Sequence, residues 1–560
     1  MKSLILLSAT VLICVSINAQ EIFINSDSTA AAFINKQVYF PFDNNGNIGL
    51  VNISPHGTDV KYDQTATIFS AGFWLSGYLD STLWVSTSER ESIGHDYLPG
   101  KVGSDPNDPK NIIYIVKNDD PMFGDSWQKW KYAVEQGAYF YDGDNDGDYN
   151  PVDKNNNGVW DPDEDKPDIL YDGTYFTVYN DSRPADQRRF GTVDPLGIEV
   201  RQTAFASAQN SILDDVLFVR YSFLYRGLGN PSEPDTLKDV IFSIWNDADI
   251  GDAVNDRVGC DTTLQTGYTY NDDGEYSFWD TTATLAVFNV IVQGPLVKTE
   301  NPDDIAFNRK GPALGEKTFE GYLNSKMNAF THNLSGVSSL DIPNNPEQAR
   351  NYTLGQTRVG SYPDPCDWSW GDVLGGVDCA MVNKKFWYSG DPVTEYGWIN
   401  RIPSDQRSFT STEMFDLVKG QPMDIVIAYV VGQDADALTS ITRAKEITQY
   451  VHEEYERNFS TIVGVDDKPE EVINNFSLSQ NYPNPFNPTT SIEYQVSSSE
   501  KVSLKVYDIL GREIKTLVNE VKSPGSYEVT FNASQLASGV YFYRLTAGDF
   551  VQTKKMILLR

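Results

Sequence analysis

A strong strand signal is the run Val216-Leu217-Phe218-Val219-Arg220-Tyr221-Ser222-Phe223, in which β-branched and aromatic residues predominate. Such residues favour an extended backbone. The runs Ala71-Gly72-Phe73-Trp74-Leu75-Ser76-Gly77-Tyr78 and Ile425-Val426-Ile427-Ala428-Tyr429-Val430-Val431 have a similar composition. Short runs of this kind, ended by Gly, Asn, Asp and Pro turns, recur through residues 20–462. The sequence therefore predicts a mainly β fold, with one large β-rich domain over this range.

One amphipathic helix is predicted near the end of this domain, from about Asp436 to Arg457. Its apolar residues recur at three- and four-residue spacing, which places them on one face of a helix. We expect this C-terminal helix to pack on a sheet and close the domain, with its apolar face in the core rather than in a ligand site. The apolar positions are Leu438, Ile441, Ala444, Ile447, Val451 and Tyr455.

The last part of the chain has a different organisation. Residues 463–475 are polar, contain Asp466-Asp467-Lys468-Pro469-Glu470-Glu471, and are predicted to be a linker. Residues 476–560 return to alternation of apolar and polar positions, as at Val502 and Leu504, with turns between short strands. This spacing predicts a small Ig-like antiparallel β-sandwich.

Residues 1–19 have the features of an export signal. Met1-Lys2-Ser3 is a short basic start, and residues 4–17 are mostly apolar. Ala19 is small and suits a cleavage site, which would leave Gln20 as the new N-terminus. Because the apolar stretch is shorter than the roughly 20 residues of a spanning helix, we predict a removable signal peptide. No later segment is apolar enough to predict a transmembrane helix.

Composition and charge narrow the classes of function. The chain has 560 residues, of which 40% are hydrophobic, and a formal net charge of -34. The apolar fraction is enough for a sizeable core and argues against global disorder. An acidic surface repels nucleic acid and anionic membranes, and it favours the binding of cations. In a second interpretation, the charge only keeps a large protein soluble.

Three cysteines lie beyond the predicted signal. Cys366 and Cys379 flank a short aromatic and glycine-rich loop. In an oxidising compartment they are predicted to form a disulfide, and the alternative is two unpaired thiols. Cys260 is left over and is predicted to be a buried free thiol.

Two consecutive acidic loops lie within residues 142–168. In each loop, acidic or amide residues alternate around a glycine, as they do in calcium-binding loops. Calcium is a hard cation that takes about six to eight oxygen ligands, and this pattern supplies them at short range. The predicted ligands of the first loop are Asp142, Asp144, Asp146, Asp148 through its carbonyl, Asn150 and Asp153. Those of the second are Asp153 again, Asn155, Asn157, Val159 through its carbonyl, Asp161 and Glu164.

The two loops form an internal repeat, in which Gly147 corresponds to Gly158 and Tyr149 to Trp160. Because the loops overlap at Asp153, helices cannot flank each of them, and a pair of EF-hands is not predicted. The arrangement resembles thrombospondin type 3 repeats, where successive acidic loops share ligands around rows of calcium ions, and Asp153 could bridge two ions. We expect structural Ca²⁺ here, and the alternative is a solvated acidic loop.

A weaker acidic cluster consists of Asp247, Asp249, Asp252 and Asp256. Carboxylates bind hard cations, and they also cap turns. The cluster could therefore hold another calcium ion or belong to a turn-rich loop, and the sequence does not separate these alternatives.

The sequence contains no recognisable catalytic constellation, and we assign no catalytic residue. Its histidines lack zinc-type spacing, and the patterns of nucleophile elbows, phosphate loops and dinucleotide sites are absent. A glycosidase needs two carboxylates, which can come from anywhere among 78 acidic residues. We therefore favour a non-catalytic structural, adhesive or binding protein, and the alternative is a secreted hydrolase acting on glycans or other polymers. The histidines are His56, His95, His332 and His452.

The tail resembles the C-terminal sorting domain (type A) of type IX secretion cargo. The resemblance implies recognition of residues 476–560 by the type IX translocon and sorting machinery. It also implies export through the periplasm to the outside of a Gram-negative bacterium, removal of the tail, and release or attachment to cell-surface lipopolysaccharide. The matching blocks are Asn481-Tyr482-Pro483-Asn484-Pro485-Phe486-Asn487-Pro488, Val506-Tyr507-Asp508-Ile509-Leu510-Gly511-Arg512, Ala537-Ser538-Gly539-Val540-Tyr541-Phe542-Tyr543-Arg544-Leu545 and Lys554-Lys555-Met556-Ile557-Leu558-Leu559-Arg560.

The large domain is similar to that of uncharacterised secreted proteins that carry such tails. This resemblance spans most of the chain and implies no known activity. It rests on Gly72-Phe73-Trp74-Leu75-Ser76-Gly77, Trp245-Asn246-Asp247-Ala248-Asp249-Ile250-Gly251-Asp252, Gly259-Cys260-Asp261-Thr262-Thr263 and Ser389-Gly390-Asp391-Pro392-Val393-Thr394.

Overall fold

The computed structural model divides into two compact units, Met1–Val463 and Gly464–Arg560. The predicted signal peptide (1–19) and linker (463–475) lie outside the residues that the structure describes. The described residues are 21–558, except for 25–27, 36, 54–56, 64, 90–95, 208–211, 230–231, 272–283, 461–475, 479–480, 482–483, 485, 497–499, 510, 523–524, 535 and 549.

Two large antiparallel sheets form most of the first unit. Over its described residues, the first sheet has 12 strands and the second has 9. The strands of the first sheet are Glu21–Ile24, Ala30–Asn35, Val38–Asp43, Ile48–Gly49, Val60–Tyr62, Thr65–Ile68, Ser70–Leu79, Thr82–Thr87, Thr236–Asp247, Met327–Asn333, Arg407–Thr412 and Phe415–Val418. Those of the second are Leu98–Pro99, Tyr114–Lys117, Gly173–Asn180, Ile198–Ala206, Val216–Tyr225, Asp256–Asp261, Thr266–Asn271, Leu285–Gln293 and Pro422–Gln433.

Short ladders and helices complete this unit. The two-stranded ladders are Phe140–Tyr141 with Lys166–Pro167, Leu296–Lys298 with Tyr322–Asn324, Ile305–Arg309 with Glu316–Glu320, and Gly371–Leu374 with Gly397–Asn400. The α-helices are α1 (Asp125–Gln136), α2 (Pro346–Thr353) and α3 (Ala437–Glu456). Single 3₁₀ turns lie at Ala185–Gln187, Ala253–Asn255 and Cys379–Met381.

The strand Val216–Tyr225 separates two hydrophobic cores. Tyr221 and Phe223 project into the core between the sheets, where their rings lie 5.1 and 5.0 Å from that of Phe73 in the first sheet. Phe218 projects to the opposite face, into the core beneath α3. Because successive residues of a strand point to opposite faces, an apolar run without alternation is what a strand covered on both sides requires.

Helix α3 covers the outer face of the second sheet, as predicted. Asp436 caps its start and forms a capping box with Thr439. Its buried residues Ile441 and Ile447 pack in the same core as Val430 of the strand Pro422–Gln433. The mainly β fold with a C-terminal packing helix is therefore confirmed.

Helices α1 and α2 were not predicted from the sequence. Helix α1 buries Trp127, Trp130 and Ala133 against the second sheet and ends at Gly137, whose φ of 108° is the left-handed conformation that favours glycine. Its exposed positions include charged residues, and three buried apolar residues in so short a segment give a weak periodic signal.

The predicted disulfide is present between Cys366 and Cys379, and Cys260 is a buried free thiol. The disulfide closes the loop that contains Trp368, whose indole N–H donates a hydrogen bond to the Tyr388 hydroxyl at 2.9 Å. The loop is thus attached to the core of the unit, since Tyr388 is buried.

The second unit is a small antiparallel β-sandwich, which confirms the fold predicted for the tail. Val502, Leu504 and Val506 alternate with more exposed residues and lie in its core. Over the described residues, one sheet contains Ser477–Leu478, Thr489–Val496 and Gly525–Asn532, and the other contains Glu500–Tyr507, Glu513–Lys522, Gly539–Ala547 and Phe550–Leu558.

Candidate metal site

The first acidic loop brings three carboxylates together. Oxygens of Asp142, Asp144 and Asp146 all lie within 4.8 Å of one another. Asp142 accepts hydrogen bonds from the N–H groups of Asp146 (3.2 Å) and Gly147 (3.1 Å), which wrap the backbone around it. Gly147 has a φ of 84°, so the turn needs a residue without a β-carbon. This compact ring of oxygens is suited to a hard cation.

The second loop repeats this geometry. Asp153 accepts from the N–H groups of Asn157 (3.1 Å) and Gly158 (2.7 Å), as Asp142 does in the first loop. Asn155 accepts from Asn157 N–H at 2.9 Å, the counterpart of the 3.3 Å bond from Asp146 N–H to Asp144. The two loops are therefore a structural repeat as well as a sequence repeat.

The left-handed positions of the two loops also correspond. Asn145 and Asn156 have φ values of 58° and 57°. The corresponding glycines, Gly147 and Gly158, have φ values of 84° and 76°. Asparagine tolerates the left-handed conformation better than most residues. Asparagine and glycine thus occupy the positions of positive φ in both loops.

Neighbouring buried carboxylates close the two loops. In the second loop, Glu164 accepts from the N–H groups of Lys154 (2.6 Å) and Asp161 (2.9 Å). In the first, Asp165 accepts from the N–H groups of Gly143 (3.0 Å) and Asn150 (2.8 Å), which stand at the corresponding positions. Both acidic side chains are buried.

Sequence reasoning missed Asp165. It placed Asp153 at the end of the first loop, by counting from Asp142, whereas both oxygens of Asp153 accept N–H groups of the second loop. The sequence signal for Asp165 was its position directly after Glu164, the last predicted ligand of the second loop, because the pair supplies one carboxylate for each loop. The role of Asp153 as a shared ligand stays a prediction.

The remaining predicted ligands lie around the same loops. The Asn150 amide donates to Asp146 at 3.2 Å, and Asp161 accepts from the amides of Asn155 (2.7 Å) and Asn157 (2.9 Å). The residues named for their carbonyls donate N–H groups inward: Asp148 to Asp146 at 2.8 Å and Val159 to Asn157 at 2.7 Å. Their binding of an ion stays a prediction.

Lys154 supplies one local positive charge. Its ammonium lies 3.1 Å from Asp144 and links the second loop to the first. This hydrogen bond lowers the pKa of the Asp144 carboxyl. The other lysine of the segment, Lys166, lies over the Trp160 ring at 3.9 Å. The segment remains strongly acidic, since ten of its residues between positions 142 and 168 are Asp or Glu.

Aromatic residues attach the loops to the domain. Tyr149 is buried in the cluster around α1, and its hydroxyl donates to the Trp127 carbonyl at 2.9 Å. Trp160 packs edge-on against Tyr141 at 5.3 Å. A β-carbon at Gly143 would overlap the Glu164 backbone, so the two ends of the segment touch closely. The segment is thus attached to α1 through Tyr149, while residues 144–148 and 154–159 of its loops are exposed.

The weaker acidic cluster is partly assembled. Oxygens of Asp247 and Asp249 lie within 4.8 Å of each other and of Asp405, a residue that the sequence did not link to them. Asp252 instead caps the 3₁₀ turn Ala253–Asn255 by accepting from Val254 N–H. Asp256 is fully buried next to the cluster.

The two described histidines make separate contacts. His332 is buried, which lowers its pKa to about 3, and its Nε2 lies 3.0 Å from the Tyr388 hydroxyl. His452 lies 2.9 Å from the Leu264 carbonyl. His56 and His95 lie outside the described residues. Among the described residues, no helix is both long and apolar enough to cross a membrane.

Comparison with solved structures gives distant similarities. A polysaccharide lyase is 8% identical with a TM-score of 0.17, and the match covers 64% of this chain and 34% of that one. Dimeric latent PorU of Porphyromonas gingivalis is 10% identical with a TM-score of 0.14, covering 70% and 32%. PorZ, a type IX secretion component of the same organism, is 10% identical with a TM-score of 0.13, covering 95% and 74%. The chain spans about a third of the length of the first two.

These structural similarities are too low to support a statement about fold or function. No curated protein matches the chain. Residues 480–559 match the family model of the secretion system C-terminal sorting domain. The β-sandwich of the second unit fits this match. The tail is thus a type IX secretion sorting domain, and it supports export of this chain to the cell surface or beyond.

Proposed function

We propose that this chain is a secreted or cell-surface protein whose large domain is stabilised by Ca²⁺ and has a structural, adhesive or binding role. The observation that supports it is the pair of acidic loops with the same hydrogen bonds around Asp142 and Asp153. Repetition of the same hydrogen-bonded turn in both loops favours a common ligand over a solvated acidic loop.

Calcium fits the donor atoms of these loops. The side chains offer carboxylate and amide oxygens and no sulfur or imidazole nitrogen, which favours hard cations over zinc or copper. Without a cation, adjacent carboxylates repel one another. A bound ion would relieve this repulsion and hold the segment against α1 through Tyr149. Exported proteins meet free calcium outside the cell, where loops of this kind often bind with dissociation constants of about 10⁻⁴–10⁻³ M.

The proposal is tested by thermal unfolding of the purified protein in calcium and after chelation. At a calcium concentration about ten times the dissociation constant, each site adds about 1.4 kcal/mol to the free energy of unfolding. We therefore expect chelation to lower the melting temperature by a few degrees and readdition of Ca²⁺ to restore it. Identical melting curves in both conditions would contradict calcium stabilisation.

The non-catalytic role has a separate test. Incubation of the calcium-loaded protein with a panel of polysaccharides, followed by reducing-end assays, is expected to show no turnover, while a glycan array reports binding. Turnover of any polymer would favour the alternative, a secreted hydrolase.

We further propose that the translocon and sorting machinery recognise the tail, and that the mature protein is then released or attached to lipopolysaccharide. The sorting-domain match at residues 480–559 supports recognition. The fate of the exported protein follows from the family resemblance alone. Mass spectrometry of the surface and medium fractions distinguishes the two: a conjugated C-terminus indicates attachment, and a free C-terminus indicates release.

A further inference from the structure

The acidic cluster around Asp249 lies where the two large sheets come together at one end. Asp247 is the last residue of the strand Thr236–Asp247 in the first sheet, and it pairs in register with Arg407. Asp249 follows in the connection, and Asp405 precedes the paired strand. Oxygens of the three aspartates lie within 4.8 Å of one another. Three aspartates from different segments of the chain thus bring their carboxylates together.

Asp256 adds an independent observation. It is the first residue of the strand Asp256–Asp261 in the second sheet, and it is 0% exposed. One of its oxygens accepts from Ile250 N–H at 3.1 Å, whereas Oδ1 has no hydrogen-bond partner among the described residues. A buried carboxylate oxygen without a donor is costly. The charges of Asp249, Asp405 and Asp247 all act on this carboxyl, so it borders the cluster.

Arg407 supplies positive charge beside the cluster. The Arg407 guanidinium lies 3.3 Å from Asp247 and 2.8 Å from Asp405. The Arg407 guanidinium thus contacts two of the four carboxyl groups. Burial, with the neighbouring charge of Asp405, raises the pKa of Asp249 to about 7, and burial holds the pKa of Asp256 well above its usual range. A divalent cation would offset the repulsion among these carboxyl groups.

A cavity reaches the cluster from solvent. It has a volume of about 910 Å³, and Asp247 and Arg407 line it together with Asp43 and Asn44. Among the four aspartates of the cluster, Asp247 lines this cavity. The carboxylate oxygens of the cluster are of the kind that binds hard divalent cations.

We propose that Asp247, Asp249, Asp256 and Asp405 form a second calcium site, separate from the loops, which joins the ends of the two sheets. Its ligands come from both sheets and from the connection between them. The bound ion would hold together the edges of the sandwich at this end. Asp252 takes no part, because its carboxylate caps the neighbouring turn.

The test counts calcium ions per full-length chain by equilibrium dialysis. We expect the double variant Asp249→Asn/Asp405→Asn to bind one ion fewer than the wild type, with the loop ions retained. The matched control is Asp252→Asn, which removes one neighbouring charge and keeps the cap, and it should bind as many ions as the wild type. Circular dichroism establishes that each variant is folded.

The single variant Asp405→Asn covers the case in which the double variant does not fold, since Asp405 is partly exposed. It should weaken binding at this site about tenfold or more. A crystal structure grown with CaCl₂ should show an ion at about 2.3–2.6 Å from the four carboxylates. Unchanged ion counts in the double variant, equal loss in Asp252→Asn, or a site that takes Mg²⁺ and rejects Ca²⁺ would overturn the proposal.

Discussion

Asp153 stands at the junction of the two loops, and its two oxygens receive N–H groups in the same manner as those of Asp142. If Asp153 bridges two ions, Asp153→Asn should weaken calcium binding in both loops, by about tenfold or more, because one negative oxygen is replaced by an amide. Asp142→Asn should weaken binding in the first loop alone. Isothermal titration calorimetry separates these two patterns.

Asp163→Asn is the matched control for these variants. Its side chain is exposed and is not among the predicted ligands, yet the substitution removes the same charge from the same segment. Calcium affinity in Asp163→Asn should stay within about twofold of the wild type, since an exposed charge that does not contact the ion is screened by salt. Equal losses in Asp153→Asn and Asp163→Asn would show that only the overall charge of the segment matters.

A second residue-scale prediction concerns Glu164 and Asp165, which close the loops with four backbone N–H bonds. Asp165→Ala should leave the N–H groups of Gly143 and Asn150 without their acceptor, at a cost of about 1–3 kcal/mol for a buried group. We expect a lower melting temperature even after chelation. Asp163→Ala serves as the control, and an unchanged melt of Asp165→Ala in chelator would contradict a positioning role.

At the scale of elements, the strength of the local sequence pattern explains which strands and helices could be predicted. The run at residues 216–223 is unambiguous because the strand is buried on both faces, and α3 has a long apolar stripe. The pairing of Val216–Tyr225 with Pro422–Gln433 joins segments about 200 residues apart, and no local pattern specifies such a partner. For the same reason Asp405 could not be placed beside Asp247, because strand pairing across the sheet brings them together.

The disulfide gives an element-scale prediction. It closes a loop with a sequence separation of 13, for which the chain-entropy argument gives about 3 kcal/mol. A reductant should therefore lower the melting temperature of the wild type. The variant Cys366→Ser/Cys379→Ser should melt like the reduced wild type and show no further response to reductant, because Cys260 is a buried thiol. A reductant effect that persists in this variant would contradict the assignment.

At the scale of the whole molecule, the sorting tail and the large domain are separate compact units with separate cores. Because the two cores are separate, loss of the tail should leave the core of the large domain intact. The strong negative charge is consistent with export, because it keeps a protein soluble and favours the binding of cations outside the cell.

Deletion of residues 476–560 is therefore expected to abolish export while leaving the large domain folded. In a bacterium with a type IX system, the truncated chain should accumulate in the periplasm, because the translocon has no sorting domain to recognise. Cell fractionation measures this, and a calcium-dependent melt of the retained protein shows that it is folded. As the reciprocal control, residues 463–560 fused to an exported reporter should direct the reporter to the surface or medium. Surface display of the truncated chain, or a reporter that stays in the periplasm, would show that the tail is not the sorting signal.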